Sequence, residues 1–339
     1  MKILLVQNAF LGDVILSTPV IAGIHKLYPE AELWMMTTPA ARELVERDPL
    51  LAGVITFDKR GAERGFLGAW RKARALTEMK FDKVYSLHRS PRTSLLLWLA
   101  AIPERVGFSA ARLSFLYTQQ VRRARDCHDV LRNLSILVPE ASLESFEGNM
   151  RLYAEDAQRV LRGEKYRLDL PAYIALVPGS AWRTKRWSIK GYRDVAQHFA
   201  RLGKRVVLLG TANESEICAK VAHGIDLENL CGRTSVSEFL SVISGAELVI
   251  CNDSMALQAA SGLKVPNVAI FCATSPEFGF GPWRNRAVVV ERNDLACKPC
   301  GRHGAKLCPA GTYACMEELP ASRVIDAAER LMDQKQMVA

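Results

Sequence analysis

Three short segments, each following an apolar run of strand length, carry the side chains best suited to chemistry. The first is Asn8-Ala9-Phe10-Leu11-Gly12-Asp13-Val14. Gly12 permits a tight turn, and the amides that open a helix stabilise a carboxylate beside them. Asp13 therefore fits two roles, a plain helix cap or a general base that takes a proton from a hydroxyl. The second runs from Val177-Pro178-Gly179-Ser180 through Lys185-Arg186-Trp187. A hydroxyl, two cations, free amides and a helix start at Ser188 are the ingredients of a diphosphate cradle. A solvated basic loop has the same composition. The third is Val249-Ile250-Cys251-Asn252-Asp253-Ser254. Asp253 can accept from sugar hydroxyls and Ser254 can face an anion, although an Asn/Asp/Ser helix cap explains the same letters.

Other chemistries fit less well. The first loop has one glycine where a dinucleotide fingerprint needs three, which disfavours NAD. Cys297, Cys300, Cys308 and Cys315 form a C-x2-C-x7-C-x6-C series that four-sulfur metal binding could use. Only the first pair has common ligand spacing, so reduced thiols are the better reading and no metal is assigned. His88 and His128 have no Ser or Cys partner in a recognisable motif and receive no role.

The elements needed to position these segments are legible. Strand-like runs at 2–7, 31–37, 53–57, 82–86, 173–177, 204–209, 247–251 and 266–271 alternate with helical patterns. The latter fall near 13–27, 39–47, 67–79, 91–101, 189–201, 213–223, 235–244 and 253–262. Such alternation predicts an α/β fold with parallel sheets joined by right-handed crossovers. Ser235 with Glu238 fits a capping box, Ser188 is placed to cap a helix, and Gly203 to end one. A polar stretch at 163–171 separates two similar series, giving domains at 1–165 and 172–319 and a final helix over 320–339. Parallel sheets bind ligands beyond the carboxyl ends of their strands, where the three segments lie.

The 339 residues suit two cores. The apolar start stops at Gln7, too soon for a secretory signal. The run from Leu95 to Ile102 is far short of the ~20 residues of a spanning helix. Nine cysteines, an odd number, fit a reducing cytoplasm. Net charge is +9, yet Lys59 to Arg125 alone holds fifteen Lys/Arg against four Asp/Glu. That stretch suits a polyanionic partner, and anionic lipid or nucleic acid would both serve, as would a solvated basic face. No nucleic-acid module pattern accompanies it.

Together, Leu11-Gly12-Asp13, Lys185-Arg186-Trp187, Asn252-Asp253-Ser254 and the C-terminal cysteine segment resemble glycosyltransferase family 9, the lipopolysaccharide heptosyltransferases. The resemblance spans nearly the whole chain and rests on order and separation rather than on any one motif. It implies a GT-B-like fold, two Rossmann-like doubly wound domains facing a cleft, with an N-terminal acceptor domain and a C-terminal nucleotide-sugar domain. It implies transfer of a heptose from ADP-L-glycero-D-manno-heptose to the lipopolysaccharide inner core, with inversion and without a metal. The acceptor is then an anionic lipid-linked sugar, Kdo-lipid A or its heptosylated form, reached from the cytoplasm at the inner membrane face. Asp13 matches the family's candidate base, Lys185 the lysine on the donor diphosphate, and Ser180 a hydroxyl beside it. Asp253 and Ser254 match donor contacts, Glu214 a ribose ligand, and the backbone near Thr234 the adenine site. Arg60, Arg64, Arg89 and Arg92 are candidates for the acceptor's anions.

Two positions depart from the family pattern. Met255 stands where Gly is common, and Gln258 where a His is common, so the donor sugar is open to question. Three alternatives follow: a same-fold transferase using another nucleotide sugar, a nucleotide-sugar epimerase, and a non-catalytic nucleotide-sugar-binding protein.

Overall fold

The first sheet has six parallel strands: β1 (Lys2–Val6), β2 (Glu32–Thr37), β3 (Gly53–Thr56), β4 (Lys83–Ser86), β5 (Glu104–Phe108) and β6 (Gln119–Val121). Its order is β3-β2-β1-β4-β5-β6. Ile3, Leu4, Leu5 and Val6 are all fully buried, as a central strand covered by helices on both faces requires. The helices are α1 (Leu11–Ser17), α2 (Pro19–Leu27), α3 (Arg42–Val45), α4 (Gly65–Glu78), α5 (Pro91–Leu99) and α6 (Asp129–Leu134). The single helix expected over 13–27 is two helices. Pro19 has no amide hydrogen to continue α1 and instead occupies the first turn of α2.

The second sheet holds β7 (Ile174–Val177), β8 (Val206–Leu208), β9 (Glu228–Asn229), β10 (Leu248–Asn252), β11 (Asn267–Phe271) and β12 (Ala287–Glu291). Its order, β12-β11-β10-β7-β8-β9, is also all parallel. Its helices are α7 (Ala157–Arg162), α8 (Ile189–Arg201), α9 (Ser215–Ala222), α10 (Val236–Ser244), α11 (Met255–Gly262), α12 (Ala314–Glu317) and α13 (Ala321–Gln336). Tyr192, Val195, Ala196 and Phe199 of α8 join Val324, Ala327, Ala328 and Leu331 of α13 in one core. Each large side chain so buried contributes roughly 1.5–3 kcal/mol. The helix signals at Ser188, Ser235 and Gly203 act as expected: Ser188 accepts from Gly191 N at 3.0 Å, Ser235 and Glu238 form a capping box, and Gly203 adopts φ +73°.

Counted from its own first strand, each sheet reads 3-2-1-4-5-6, the doubly wound dinucleotide-fold order. Each therefore has one point where successive crossovers diverge, between β1 and β4 and between β7 and β10. β5, β6, β9 and β12 were not anticipated from sequence, and all four lie toward sheet margins.

The computed structural model describes all residues but 140, 141, 144, 145 and 337–339, and the backbone alone of 334–336. Residues 337–339 of the expected terminal helix thus lie outside the described residues. Two compact units are formed, Met1–Tyr153 and Ala154–Ala339. The division falls ahead of the polar stretch 163–171, because residues from 154 onward already pack on the second unit. α7 lies against α10, and Glu155 N donates to Ser241 Oγ at 3.1 Å. Among the described residues no helix is long and apolar enough to cross a membrane.

Candidate functional site

In the second unit, the loop after β7 and the strand end of β10 are wired together. Asn252 is fully buried, and its Nδ2 donates to the carbonyls of Pro178 (2.8 Å) and Gly179 (3.2 Å). Its Oδ1 accepts from Trp187 N at 3.0 Å. One amide side chain thus holds both ends of the Pro178–Trp187 loop. Within it, Lys185 Nζ meets Asp253 Oδ2 at 2.6 Å, and Thr274 Oγ1 donates to that same oxygen at 2.7 Å. Ser180 Oγ donates to the Asp253 carbonyl at 3.3 Å, and Arg186 Nε to the Ser180 carbonyl at 2.7 Å. The Lys185 and Asp253 side chains are only 13% and 7% exposed, so this ion pair is largely withdrawn from water. An ammonium has three protons, and Asp253 takes one, leaving donors for a phosphate oxygen.

Glu214 joins the same loop from β8. It accepts from Thr211 N and Thr211 Oγ1, both at 2.8 Å. Its carboxylate lies so close to Gly179 that a Cβ there would sit 2.0 Å from Oε1. Gly232 N donates to the Gly210 carbonyl at 2.9 Å, which brings the turn that carries Thr234 beside the Glu214 turn. Ser254 acts as the cap of α11, accepting from Ala256 N at 3.3 Å. The structure therefore gathers Ser180, Lys185, Glu214, Asp253 and Ser254 around one diverging point. Asn252 and Thr274 organise them and were not singled out beforehand. Asn252 was visible as the residue beside Asp253, but Thr274 comes from the loop after β11 with no local signal.

In the first unit, Asp13 reaches back from α1, and its Oδ2 accepts from Phe10 N at 3.2 Å. It does cap, but from the third position of the helix rather than the residue before it. Behind it, Asn8 is fully buried, and neither its Oδ1 nor its Nδ2 has a hydrogen-bond partner. Lys59, just beyond β3, donates to the Asn8 carbonyl and lies 3.4 Å from His88 Nε2. With Nε2 facing an ammonium, the ring proton belongs on Nδ1, which lies 2.7 Å from Thr93 Oγ1. Burial, aided by Lys59 and Arg89, pushes the His88 imidazole down to about 4, so it is neutral at ordinary pH. Burial also lowers Lys59, with Arg60 and Arg92 adding to the effect.

Arg92 Nη1 donates to the Lys59 carbonyl at 2.9 Å, and the Arg60 guanidinium stands 5.9 Å from the Phe10 ring. Arg60, Arg89 and Arg92 thus share the neighbourhood of residues 8–13. Arg64 is exposed at the start of α4. Lys59 and His88, passed over in the sequence, belong to this cluster; both follow strand ends, the signal that marked Asp13. His128 instead caps α6, accepting from Val130 N at 3.3 Å.

All nine cysteines are free thiols, with Cys297 and Cys300 exposed, Cys308 half-buried and Cys315 buried. Among the described residues no three ligand side chains are grouped to hold a metal. Gln258 is buried on α11, its Nε2 donating to the Phe280 carbonyl at 2.8 Å while its Oε1 lacks a partner.

Two doubly wound parallel sheets, each with polar side chains collected at its diverging point, form a GT-B-like architecture. The model of glycosyltransferase family 9 (heptosyltransferase) matches residues 69–310, and the chain belongs to that family. Lipopolysaccharide heptosyltransferase 2 of Escherichia coli is 26% identical over 86% of this chain and 88% of its own length. Lipooligosaccharide heptosyltransferase 2 of Campylobacter jejuni is 23% identical over 98% of both. Among solved structures, a family 9 glycosyl transferase from Veillonella parvula superposes with a TM-score of 0.86 at 24% identity, covering 98% of this chain and 97% of its own. The E. coli ADP-heptose heptosyltransferase II gives 0.81 at 21% identity, covering 99% and 100%.

Proposed function

We propose that this glycosyltransferase moves a heptose from ADP-L-glycero-D-manno-heptose to the inner core of lipopolysaccharide, inverting the anomeric carbon. The observation that carries this reading is the buried Lys185–Asp253–Thr274 arrangement beside Ser180 and Glu214, a preformed seat for a nucleotide diphosphate. Lys185 and nearby amides stabilise the departing ADP as its negative charge develops. Asp253 holds Lys185 in place and faces the donor, while Glu214 takes the ribose and the turn at Thr234 the adenine. Asp13 removes the proton from the acceptor hydroxyl as that oxygen attacks, and the carbon–oxygen bond to ADP breaks in the same displacement. Arg60, Arg64, Arg89 and Arg92 meet the acceptor's carboxylates and phosphates, and the chain works at the cytoplasmic face of the inner membrane.

Gln258 favours keeping a second donor sugar in view. It is neutral and anchored to Phe280, so it supplies no charged donor where the family pattern commonly has histidine. Incubation with a panel of nucleotide sugars, with and without Kdo-lipid A, decides between these readings by release of free nucleotide. ADP-heptose should support acceptor-dependent release. Interconversion of sugars without acceptor would instead mark an epimerase, and inertness toward every donor a binding protein.

A further inference from the structure

α4 presents an unusual outer face. Its inner side is made of Gly68, Ala69, Ala73 and Leu76, all buried, the last three in one core with Leu4, Val6 and Val84 of the first sheet. Its outer side carries Phe66 at 64% exposure, Leu67 at 66% and Trp70 at 42%. Three large apolar side chains on adjacent turns of one helix are a contiguous patch, not scattered surface residues. Phe10, 61% exposed, is tied to the same region through Arg60, whose guanidinium packs over its ring.

The patch is framed by cations. Arg60, Arg64, Arg71 and Arg74 are exposed, and Arg74 stands 5.2 Å from the Trp70 ring. The approach to α4 is fixed rather than loose: Asp58 accepts from Gly61 N (2.8 Å) and Ala62 N (3.0 Å), and Glu63 pairs with Lys72 at 2.7 Å. That pair uses the acidic side chain nearest the patch, and Glu78 lies at the far end of the helix. Aromatic and aliphatic side chains ringed by arginine match the boundary between acyl chains and anionic headgroups. A second copy of this chain would instead bring arginine against arginine.

We propose that the outer face of α4 docks on an anionic lipid bilayer, with Phe66, Leu67 and Trp70 entering the acyl boundary and Arg71 and Arg74 meeting lipid phosphates. This rests on the reading of a lipid-linked acceptor and adds the element that engages the membrane. Phe10 lies three residues before Asp13, so docking sets the candidate base close to headgroup level.

The test is co-sedimentation of the full chain with vesicles of phosphatidylethanolamine and phosphatidylglycerol, against vesicles of phosphatidylcholine alone. The wild-type chain should bind the anionic vesicles, less so as salt rises. Phe66→Ser/Leu67→Ser should lower that partition by about tenfold or more, from the apolar area no longer buried. Both positions are exposed, so thermal melting should be unchanged, as should transfer to a lipid-free acceptor sugar. Arg71→Gln/Arg74→Gln should flatten the salt dependence. Equal binding by the double serine variant, equal binding to neutral vesicles, or a dimer that the serine variant dissolves would each overturn the proposal. Vesicle binding is read without substrate and sugar transfer without vesicles, so failure of either reading is seen separately.

Discussion

The diverging points of the two sheets are alike in topology and different in how their charged groups are held. Around β7 and β10, Lys185 is paired with Asp253, which also accepts from Thr274, and Glu214 accepts from Thr211. Around β1 and β4, Lys59 is held by a carbonyl and a neutral imidazole, Arg92 by a carbonyl, and Asn8 has two unpaired polar atoms. A matched site is preorganised for one small ligand of fixed charge. In the proposed reading, the basic site receives its counter-charges from a large anionic acceptor. On that reading, the same strand order serves donor recognition in one unit and chemistry on a bulky acceptor in the other.

The comparison is most easily broken at Asp13. A positioned base contributes 10²–10⁴-fold, roughly 3–5 kcal/mol of barrier, so Asp13→Ala should nearly abolish turnover. ADP affinity should not change, since the proposed nucleotide seat is in the other unit. Retention of more than about a tenth of kcat would remove the base role from this residue. Lys185→Ala should do the converse. It strands a buried carboxylate, which costs about 3–5 kcal/mol when a buried pair is broken, and it strips the diphosphate of its cation. Calorimetry should then show weakened ADP binding, and thermal melting a lower midpoint; unchanged ADP affinity would exclude Lys185 from the cradle.

How far all this was legible follows from where each signal resides. Ile3–Val6 and Ile174–Val177 announce themselves as unbroken apolar strands, and the residues just after them could be ranked at once. β6 (Gln119–Val121) and β9 (Glu228–Asn229) are short, polar margin strands, formed because a neighbouring strand offers free hydrogen-bonding groups. Nothing local demands them. Asp13, Lys185 and Asp253 could be singled out because carboxylates and cations beside helix starts are conspicuous. Thr274 was invisible because its importance is a contact across 21 residues, made only once β10 and β11 pair. The break at Thr18–Pro19, by contrast, is present in the sequence, since proline cannot continue a helix, but the single helix expected over 13–27 runs straight through it.

Thr274 sharpens the comparison at a smaller scale. Thr274→Val keeps the shape and removes one hydrogen bond to a charged oxygen, a loss of about 1.5–3 kcal/mol. Because it acts through Asp253 on Lys185, the donor KM should rise about tenfold or more while kcat changes little. Thr274→Ser should restore it. A kcat loss with unaltered KM, or no rescue by serine, would show that the hydroxyl does not position the ion pair.

The smallest effect tests the first unit's electrostatics through His88. Its folded pKa is depressed to about 4, against an ordinary 6.5. Above pH 6.5 the ring is neutral in both folded and unfolded chains, and the full stabilisation is present. As pH falls from 6.5 toward 4, the unfolded chain takes up a proton that the fold refuses beside Lys59 and Arg89, so stability declines with pH. After allowance for its partial exposure, the contribution is on the order of 1–2 kcal/mol. His88→Gln keeps a neutral polar group and removes the titration, so its melting temperature should fall less than wild type over that window. Carboxylates titrating in the same range affect both chains alike and cancel in the difference. Parallel profiles would mean that His88 accepts its proton as readily in the fold as out of it, and the cationic cluster around Asn8 would then be far better solvated than the contacts of Lys59 imply.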